Sequence, residues 1–231
     1  MDVQSHGEYV SMNLKIDPEI SNRFPDLNVF MIQIKGVKIH RINNDLEKTK
    51  FEVMKQVRSK FNIKLVKEQQ TFRAYRDFFW KIGIDPTKIR PASEALVRRI
   101  LAGKTIPRIN TLVDAYNLAS IKNGIAVATF DSDKLDGDLL MRFADEGEQF
   151  CGIGMEKPLI LKGGEIIISD NEKLIAVYPY RDAENTKVTE KTKNITLIVC
   201  GVPGISKELL SDALRVVIEY VTTFCGGILS E

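Results

Sequence analysis

The stretch from Phe72 to Asp131 constrains the fold of this chain more than any other part of the 231-residue sequence. Apolar runs alternate with basic residues along it. Four helix-breaking points divide it: Asp85-Pro86, Arg90-Pro91, Gly103 and Ile106-Pro107. Since proline and turn residues interrupt helices, the stretch predicts three short helices. The apolar run that follows, IAVATFD, predicts a strand that ends at Asp131.

The first of these helices carries an aromatic stripe. Four apolar residues recur at helical spacing: Phe72, Tyr75, Phe79 and Ile82. This spacing is typical of one helix face that packs in a core. An alternative is that Tyr75 and Trp80 stack on a nucleic-acid base. The stripe therefore predicts a helix buried on one side, with stacking as the second interpretation.

The other two helices have recognisable ends. Pro91 suits the first turn of the second helix, which is predicted to stop at Gly103. The third helix is predicted to begin at an N-cap, Asn110, and to end at Gly124. Together with the first helix, they predict a compact helical segment in the middle of the chain.

Strand patterns dominate the rest of the sequence. Strands are predicted at 12–16 and 29–39, with an amphipathic helix at 45–62 and a closing helix at 209–224. Four further strand candidates follow Asp138: DLLMRFAD, EIIISD, KLIAVYPY and NITLIVCG. Glycine, aspartate and asparagine separate them, as expected for turns. The pattern predicts an α+β fold with a mixed or antiparallel sheet and several packed helices.

The domain organisation follows from length and composition. A chain of 231 residues with 44% hydrophobic and 28% charged residues can bury a full core and does not resemble a disordered protein. We predict a single domain, 1–231, made of an N-terminal strand-helix portion at 1–70 and a core at 71–231.

Positive charge is concentrated in one segment. Residues 71–110 contain nine basic and three acidic residues, a net charge of +6, whereas the whole chain carries only +2. Such a concentration is expected for a surface that meets the phosphates of a nucleic acid. The alternative is that these side chains only solvate the outer faces of helices.

Several classes of chemistry are excluded by what the chain lacks. His6 and His40 are its only histidines, which argues against a serine–histidine triad, a Cys–His dyad or a zinc site. The fragment Gly103-Lys104-Thr105 imitates a phosphate-binding loop but lacks the glycine that the motif requires at position 98. We therefore expect no metal and no cofactor, and no ATP hydrolysis.

The sequence also indicates the cellular compartment. No apolar run reaches the roughly 20 residues that span a bilayer, and the first residues have no signal-peptide pattern. The three cysteines, Cys151, Cys200 and Cys225, are widely spaced and fit reduced thiols. The sequence therefore predicts a cytoplasmic protein.

Three segments resemble one known family. They are YRDFFWKIGIDPTKIRPASEALVRRILAGKTIPRINTLVDAYNLASI, FDSDKLDGDLLMRFADEGE and NTKVTEKTKNITLIV. The family is the tRNA-binding and editing domain, the B3/B4 region, of the phenylalanyl-tRNA synthetase beta subunit, and the free-standing proteins made of that domain. The resemblance implies an α+β fold with a mixed sheet and a pocket that hydrolyses the ester of a wrongly charged tRNA. The type member removes tyrosine from the tRNA for phenylalanine.

The resemblance also implies site residues. Asn117 matches the asparagine of the family's Val-Asp-x-x-Asn segment, which implies that it orients the aminoacyl ester or a water. Glu184 aligns with the glutamate that reads the substrate side chain, and both are candidate catalytic residues. The implied substrate-binding residues are Asp114, Tyr116, Ala128 and Thr192.

Two of these positions depart from the family pattern. A histidine that precedes the Phe-Asp pair in many synthetases is Ala128 here, and the threonine before the motif asparagine is Tyr116. Both changes reshape the pocket, so the resemblance does not carry the specificity for tyrosine to this chain.

The predicted function is hydrolysis, in trans, of a mischarged aminoacyl-tRNA held by its acceptor end. The candidate tRNA-binding residues are Arg73, Arg76, Arg90, Arg98, Arg99 and Lys104. Arg90 has an alternative role as an ion-pair partner of Glu94 or Asp85. Two other functions stay open: a non-catalytic module that binds tRNA or an amino acid, and a small-molecule hydrolase or lyase that has reused the pocket.

Overall fold

The computed structural model describes residues 14–230, so His6 and the first half of the strand predicted at 12–16 lie outside the described residues. The helices of this range are α1 (Pro18–Arg23), α2 (Asn44–Lys60), α3 (Gln70–Lys81), α4 (Ala92–Leu101), α5 (Thr111–Asn123) and α6 (Lys207–Cys225). Its strands are β1 (Lys15–Ile16), β2 (Val29–Lys35), β3 (Ala126–Asp131), β4 (Leu140–Phe143), β5 (Glu146–Phe150), β6 (Leu159–Lys162), β7 (Ile166–Ser169), β8 (Leu174–Val177), β9 (Arg181–Asp182), β10 (Asn194–Cys200) and β11 (Ile228–Leu229). The α+β prediction is confirmed.

A four-stranded antiparallel sheet forms the centre of the molecule, in the order β11-β2-β10-β3. Helices α5 and α6 pack against each other and against this sheet. The same apolar core also takes side chains from β4, β7 and β8 of a second sheet. Because apolar layers cover both of its faces, every residue of β10 from Ile195 to Cys200 is buried. A continuous apolar run is the pattern expected for such a strand.

The second sheet has five strands in the order β1-β4-β7-β8-β9. Strand β1 runs parallel to β4, and the other pairs are antiparallel, so the sheet is mixed as predicted. A separate hairpin of β5 and β6 packs beside it through Phe150 and Leu161. The sequence pattern indicated only turns in the hairpin region, because its strands are short and the region contains five glycines.

One strand boundary and one strand pairing differ from the sequence predictions. The strand predicted at 29–39 ends at Lys35, since Gly36 turns the chain with a φ of +74°, a region that glycine enters without steric cost. The run NITLIVCG pairs with β2 and β3, not with the strands that precede it. Periodicity identifies a buried strand but does not say which sheet it joins.

Two buried tyrosine hydroxyls bind the carboxyl end of β10. Tyr75 of α3 donates to the carbonyl of Cys200 and accepts a 3.0 Å hydrogen bond from the backbone N–H of Ala126. Tyr178, at the end of β8, donates to the carbonyl of Gly201. The prediction that Tyr75 could stack on a base is therefore wrong, because its ring is completely buried.

Trp80, the other predicted stacking residue, lies on the surface of α3. Its side chain is 57% exposed, and the described residues place no acceptor at its ring nitrogen. This exposed position is compatible with stacking of the Trp80 ring on a base, which stays a prediction.

A second apolar cluster joins helices α2, α4 and α5. Within it lies a charged pair, Lys50 and Asp114, both almost fully buried. The Lys50 ammonium donates to Asp114 Oδ2 at 2.7 Å and to Glu47 Oε1 at 3.0 Å. The second Asp114 oxygen accepts a 3.1 Å hydrogen bond from the backbone N–H of Ile109. Through these hydrogen bonds the carboxylate of Asp114 connects α2 to the start of α5.

The Lys50–Asp114 pair gives a testable prediction on stability. Replacing Asp114 with alanine leaves a buried ammonium with one partner fewer, so the free energy of unfolding should fall by about 3 kcal/mol. Urea denaturation measures the change. The double variant Lys50→Met, Asp114→Leu removes both charges and should recover most of the loss, because two apolar side chains can replace a buried pair. A double variant as unstable as Asp114→Ala would contradict the assignment.

Candidate active site

A small cavity lies where the two sheets meet, and we call it the seam cavity. Its volume is about 180 Å³. It is lined by Ala92, Tyr116, Asn117, Ala126, Val127, Ala128, Ile168, Ala176, Val177, Tyr178, Pro179, Tyr180, Arg181, Asp182 and Cys200. Pockets for drug-sized ligands reach about 300–1,000 Å³, so this space suits one small group, such as an amino-acid side chain.

Asp182 is the acidic group of the seam cavity. It lies on β9, which approaches the outer edge of β3. Removal of the carboxyl from water raises its pKa to about 7, and the backbone N–H of Thr129 acts in the opposite direction. A carboxyl with a pKa near neutrality can accept or donate a proton at physiological pH.

Asp182 was missed by the sequence analysis. The segment Arg-Asp-Ala-Glu-Asn contains two acids, Asp182 and Glu184, and the resemblance favoured the second. Only the contact between β9 and β3 shows which of the two lies at the cavity. A signal in the sequence would have been the position of Asp182, two residues after the predicted strand KLIAVYPY, since loops that follow strands often carry site residues.

The other polar groups of the cavity come from α5. Asn117 and Tyr116 lie side by side on this helix and both line the cavity. Burial raises the pKa of the Tyr116 hydroxyl, and the charges of Asp182 and Asp114 add to the effect, so this group stays protonated. Tyr116 and Asn117 can therefore both donate hydrogen bonds beside Asp182.

The floor of the cavity is apolar and chemically inert. Ala128 and Ala126 of β3 lie beside Cys200 at the end of β10. Burial raises the pKa of the Cys200 thiol, so it is not a thiolate nucleophile. The small side chains leave the space that the cavity occupies.

Glu184 and Thr192 lie outside the seam cavity. Glu184 forms an ion pair with Lys187, and that neighbour lowers the pKa of its carboxyl. It lines a separate, wider groove on the surface. The buried hydroxyl of Thr192 donates to Asp131 Oδ2 at 2.7 Å and closes the turn after β3. The structure thus brings together Asn117, Tyr116 and Ala128 but not Glu184 or Thr192.

Asp114 is also separated from Asn117, although the two are three residues apart on α5. Its carboxylate faces Lys50 of α2, and Asn117 lines the cavity. Helical spacing places two residues on neighbouring parts of a surface, but the surrounding elements decide which of them is covered.

Two of the predicted tRNA-binding residues have a structural partner. Arg76 and Arg98 both bind the fully buried carboxylate of Glu94, at 3.3 Å and 2.6 Å. Arg98 also donates to the carbonyl of Ile63. The single carboxylate of Glu94 neutralises one of these two positive charges, and its burial was not evident from the sequence, where Glu94 lies in a first helical turn.

The remaining basic candidates are exposed. Arg73, Arg90 and Lys104 have no acidic partner within residues 14–230, and Arg99 donates only to the carbonyl of Thr105, at 2.6 Å. The alternative role of Arg90 as a partner of Glu94 or Asp85 is therefore wrong. Arg181, at the cavity itself, adds an exposed charge that the sequence analysis did not name.

No metal-binding cluster is found in the described part of the chain. Between residues 14 and 230, no three His, Cys, Asp or Glu side chains lie close enough to hold an ion. No described helix is long and apolar enough to cross a membrane.

Comparison with known proteins decides the family. The B3/4 domain matches residues 74–226, which is about two thirds of the 231 residues. The chain belongs to the B3/4 domain family. The match covers α4, α5, α6 and the strands from β3 to β10, so the seam cavity is built from residues of this domain.

Sequence relatives support the same family. The phenylalanine–tRNA ligase beta subunit of Fusobacterium nucleatum is 34% identical over 113 residues, which are 48% of this chain and 14% of that protein. The beta subunit of Synechocystis is 29% identical over 148 residues, 61% of this chain and 18% of that protein. The chain therefore corresponds to a small part of these relatives.

A solved structure supports the fold. An N-terminal fragment of the phenylalanyl-tRNA synthetase beta subunit from Pyrococcus horikoshii superposes with a TM-score of 0.52 over 97% of this chain and 52% of that chain. At 15% sequence identity, the likeness concerns the fold alone. The predicted resemblance to the B3/B4 region is confirmed.

The raised pKa of Asp182 predicts a pH-dependent effect on stability. A carboxyl whose pKa is raised by folding favours the folded state while protonated, and this contribution is lost as the pH rises through about 7. Asp182→Asn stays neutral, so its stability relative to the natural protein should increase by roughly 1–2 kcal/mol between pH 5.5 and pH 8.5. Chemical denaturation at the two pH values measures this. Glu184→Gln serves as control and should show no such gain, and an equal gain would contradict the raised pKa of Asp182.

Proposed function

We propose that this chain hydrolyses the ester bond of a wrongly charged aminoacyl-tRNA. The observation that carries the proposal is that Asp182, with a pKa of about 7, and Asn117 line the same small cavity of a B3/4 domain. The relatives' name, phenylalanine–tRNA ligase beta subunit, supports an aminoacyl-tRNA as the substrate class. The protein would act in the cytoplasm, where translation takes place.

The two polar groups suit the two demands of ester hydrolysis. About half of the Asp182 carboxyls are ionised at neutral pH, so the carboxylate takes a proton from water as the water oxygen attacks the ester carbonyl. The amide of Asn117 donates to the carbonyl oxygen as that oxygen gains negative charge. The proton on Asp182 then passes to the departing ribose oxygen. The products are the free amino acid and the uncharged tRNA.

The walls of the cavity suit the side chain of the amino acid. Ala92, Ala126, Ala128 and Ala176 line it with small apolar groups. Ala128 stands where many synthetases of the family have a histidine, and the phenol of Tyr116 fills space beside Asn117. Both features support a substrate that differs from the tyrosyl ester of the type member.

A deacylation assay tests the proposal. Each tRNA of a panel carries either its cognate or a near-cognate radiolabelled amino acid, and release is measured with and without the protein. One mischarged class should be hydrolysed, with a rate that rises with pH to a plateau above about 7, since only the ionised Asp182 takes a proton. Asp182→Asn and Asn117→Ala should each lower kcat/KM by about 100-fold.

The matched control is Glu184→Gln. It changes the neighbouring acid, which is partly exposed and bound to Lys187 outside the cavity. This variant should keep the activity and the pH profile of the natural protein. Loss of activity in Glu184→Gln but not in Asp182→Asn would assign the chemistry to the wider groove instead.

A second candidate function is a module that holds an aminoacyl-tRNA or an amino acid without turnover. The observation in its favour is Ala128, which leaves the cavity without an imidazole. Spontaneous rates of release throughout the panel, together with measurable tRNA binding, would support this second function.

Exposed basic residues at the two ends of α4 suit contacts with tRNA phosphates. Arg90 precedes Ala92 at the cavity, and Arg99 and Lys104 lie at the other end of the helix. A helix of 10 residues is about 15 Å long, so these charges could follow several phosphates of an acceptor stem.

The salt dependence of tRNA binding tests this surface. Arg90→Gln and Lys104→Gln should each weaken binding and reduce the slope of log K against log salt concentration by about 0.7–0.9, because each removes one phosphate contact. Arg98→Gln is the control, since Glu94 already holds the Arg98 charge, and its slope should stay unchanged. A reduced slope in the control alone would contradict the assignment.

A further inference from the structure

The wider groove that Glu184 lines is bordered by the five-stranded sheet and by the β5–β6 hairpin, and we call it the polar groove. Its volume is about 740 Å³, which lies in the range of ligand pockets. No residue lines both the polar groove and the seam cavity. The proposed hydrolysis therefore does not use this groove.

The polar groove contains a buried hydroxyl without a partner. Ser169 is only 7% exposed, and its hydroxyl makes no hydrogen bond with any residue between 14 and 230. On β7 it lies on the same face as Ile167, whereas Ile168 points into the core between the sheets. Buried polar groups are nearly always hydrogen-bonded. The Ser169 hydroxyl therefore indicates a partner that the described chain does not supply.

Each basic side chain that lines the polar groove is already paired. The guanidinium of Arg142 donates two hydrogen bonds to Glu148, at 2.9 Å and 2.7 Å. The ammonium of Lys173 binds Asp170 Oδ2 at 2.9 Å. Because charge-assisted pairs of this geometry are strong, neither cation is free to attract an anionic ligand.

The unpaired charge of the polar groove is negative. Glu172 is exposed and forms no ion pair within the described range 14–230, whereas Glu184 is bound to Lys187. Four acidic and two basic residues line the groove, a net charge of −2. An ammonium group matches this surface, because its N–H groups can donate to a carboxylate and to a hydroxyl oxygen together.

The turn between β7 and β8 holds the two free groups near each other. The carboxylate of Asp170 is fully buried and accepts hydrogen bonds from the backbone N–H of Glu172 at 2.9 Å and of Lys173 at 2.8 Å. It also accepts one from the backbone N–H of Asp136 at 3.0 Å. Since Glu172 is three residues from Ser169 on this fixed turn, both can contact one ammonium group.

We propose that the polar groove binds a linear polyamine, a small organic cation whose ammonium groups are joined by methylene chains. One ammonium donates to the Ser169 hydroxyl and to Glu172, and the methylene chain packs against Leu174 and Ala183. The net charge of −2 and the size of the groove suit a ligand with more than one ammonium group. The site is separate from the seam cavity, so the binding does not depend on the proposed hydrolysis.

Cys151 provides a direct readout of occupancy. It lines the polar groove and is exposed, whereas Cys200 and Cys225 are buried. Spermidine is the probe. Its binding should slow the alkylation of Cys151 by iodoacetamide about tenfold, because a covered thiol does not react. Sodium chloride at the same ionic strength should leave the rate unchanged.

Variants test which groups bind the cation, with calorimetry as the measure of spermidine affinity. Ser169→Ala should raise Kd by about tenfold, because a hydrogen bond to a charged group is lost. Glu172→Gln should raise Kd by about threefold, as expected for an exposed ion pair. The matched control is Glu190→Gln, which makes the same change at an exposed acid outside the groove and should bind spermidine like the natural protein.

Several outcomes would overturn the proposal. Equal slowing by sodium chloride, or equal weakening in Glu172→Gln and Glu190→Gln, would reduce the effect to general charge attraction. An affinity unchanged in Ser169→Ala would remove the buried hydroxyl from the site. Protection of Cys151 by a trilysine peptide but not by spermidine would identify a protein contact instead. None of these results depends on whether the tRNA panel is deacylated.

Discussion

The candidate site depends on two tyrosine hydroxyls that bind the end of β10. Tyr75 joins α3 to the Cys200 carbonyl and the start of β3, and Tyr178 joins the second sheet to the Gly201 carbonyl. The close packing extends to Gly201, where a Cβ would lie 2.2 Å from the carbonyl oxygen of Asn28. These hydrogen bonds hold both sheets at a fixed separation, so the space between them persists as a cavity.

The sequence was sufficient for most elements and insufficient for their assembly. Helix α6 begins after its N-cap, Ser206, and α5 ends at the predicted Gly124 with a left-handed φ of +79°, because caps and glycines act locally. The sheet that β10 joins depends on contacts between residues far apart in the chain. Periodicity carries no information about such contacts, which is why the pairing of the NITLIVCG strand with β2 and β3 was not predicted.

The site could be predicted only in part, for a related reason. Asn117 and Ala128 came from a resemblance and lie in the cavity, where a regular helix and a regular strand carry them. Asp182 and Glu184 lie in a short irregular segment, where a shift of two residues exchanges a cavity acid for a surface acid. Charge counting likewise does not reveal that Arg76 and Arg98 bind a buried carboxylate, Glu94.

The position of β9 has a consequence for aggregation. Strand β3 is the last strand of the central sheet, and β9 and a bridge between Phe130 and Lys187 cover its outer edge. An uncovered edge offers unpaired amides and carbonyls to any other extended chain. Displacement of β9 would therefore open the cavity and expose this edge in a single event. Selection that keeps the protein monodisperse would then also preserve the geometry around Asp182, even in a lineage that no longer needed its chemistry.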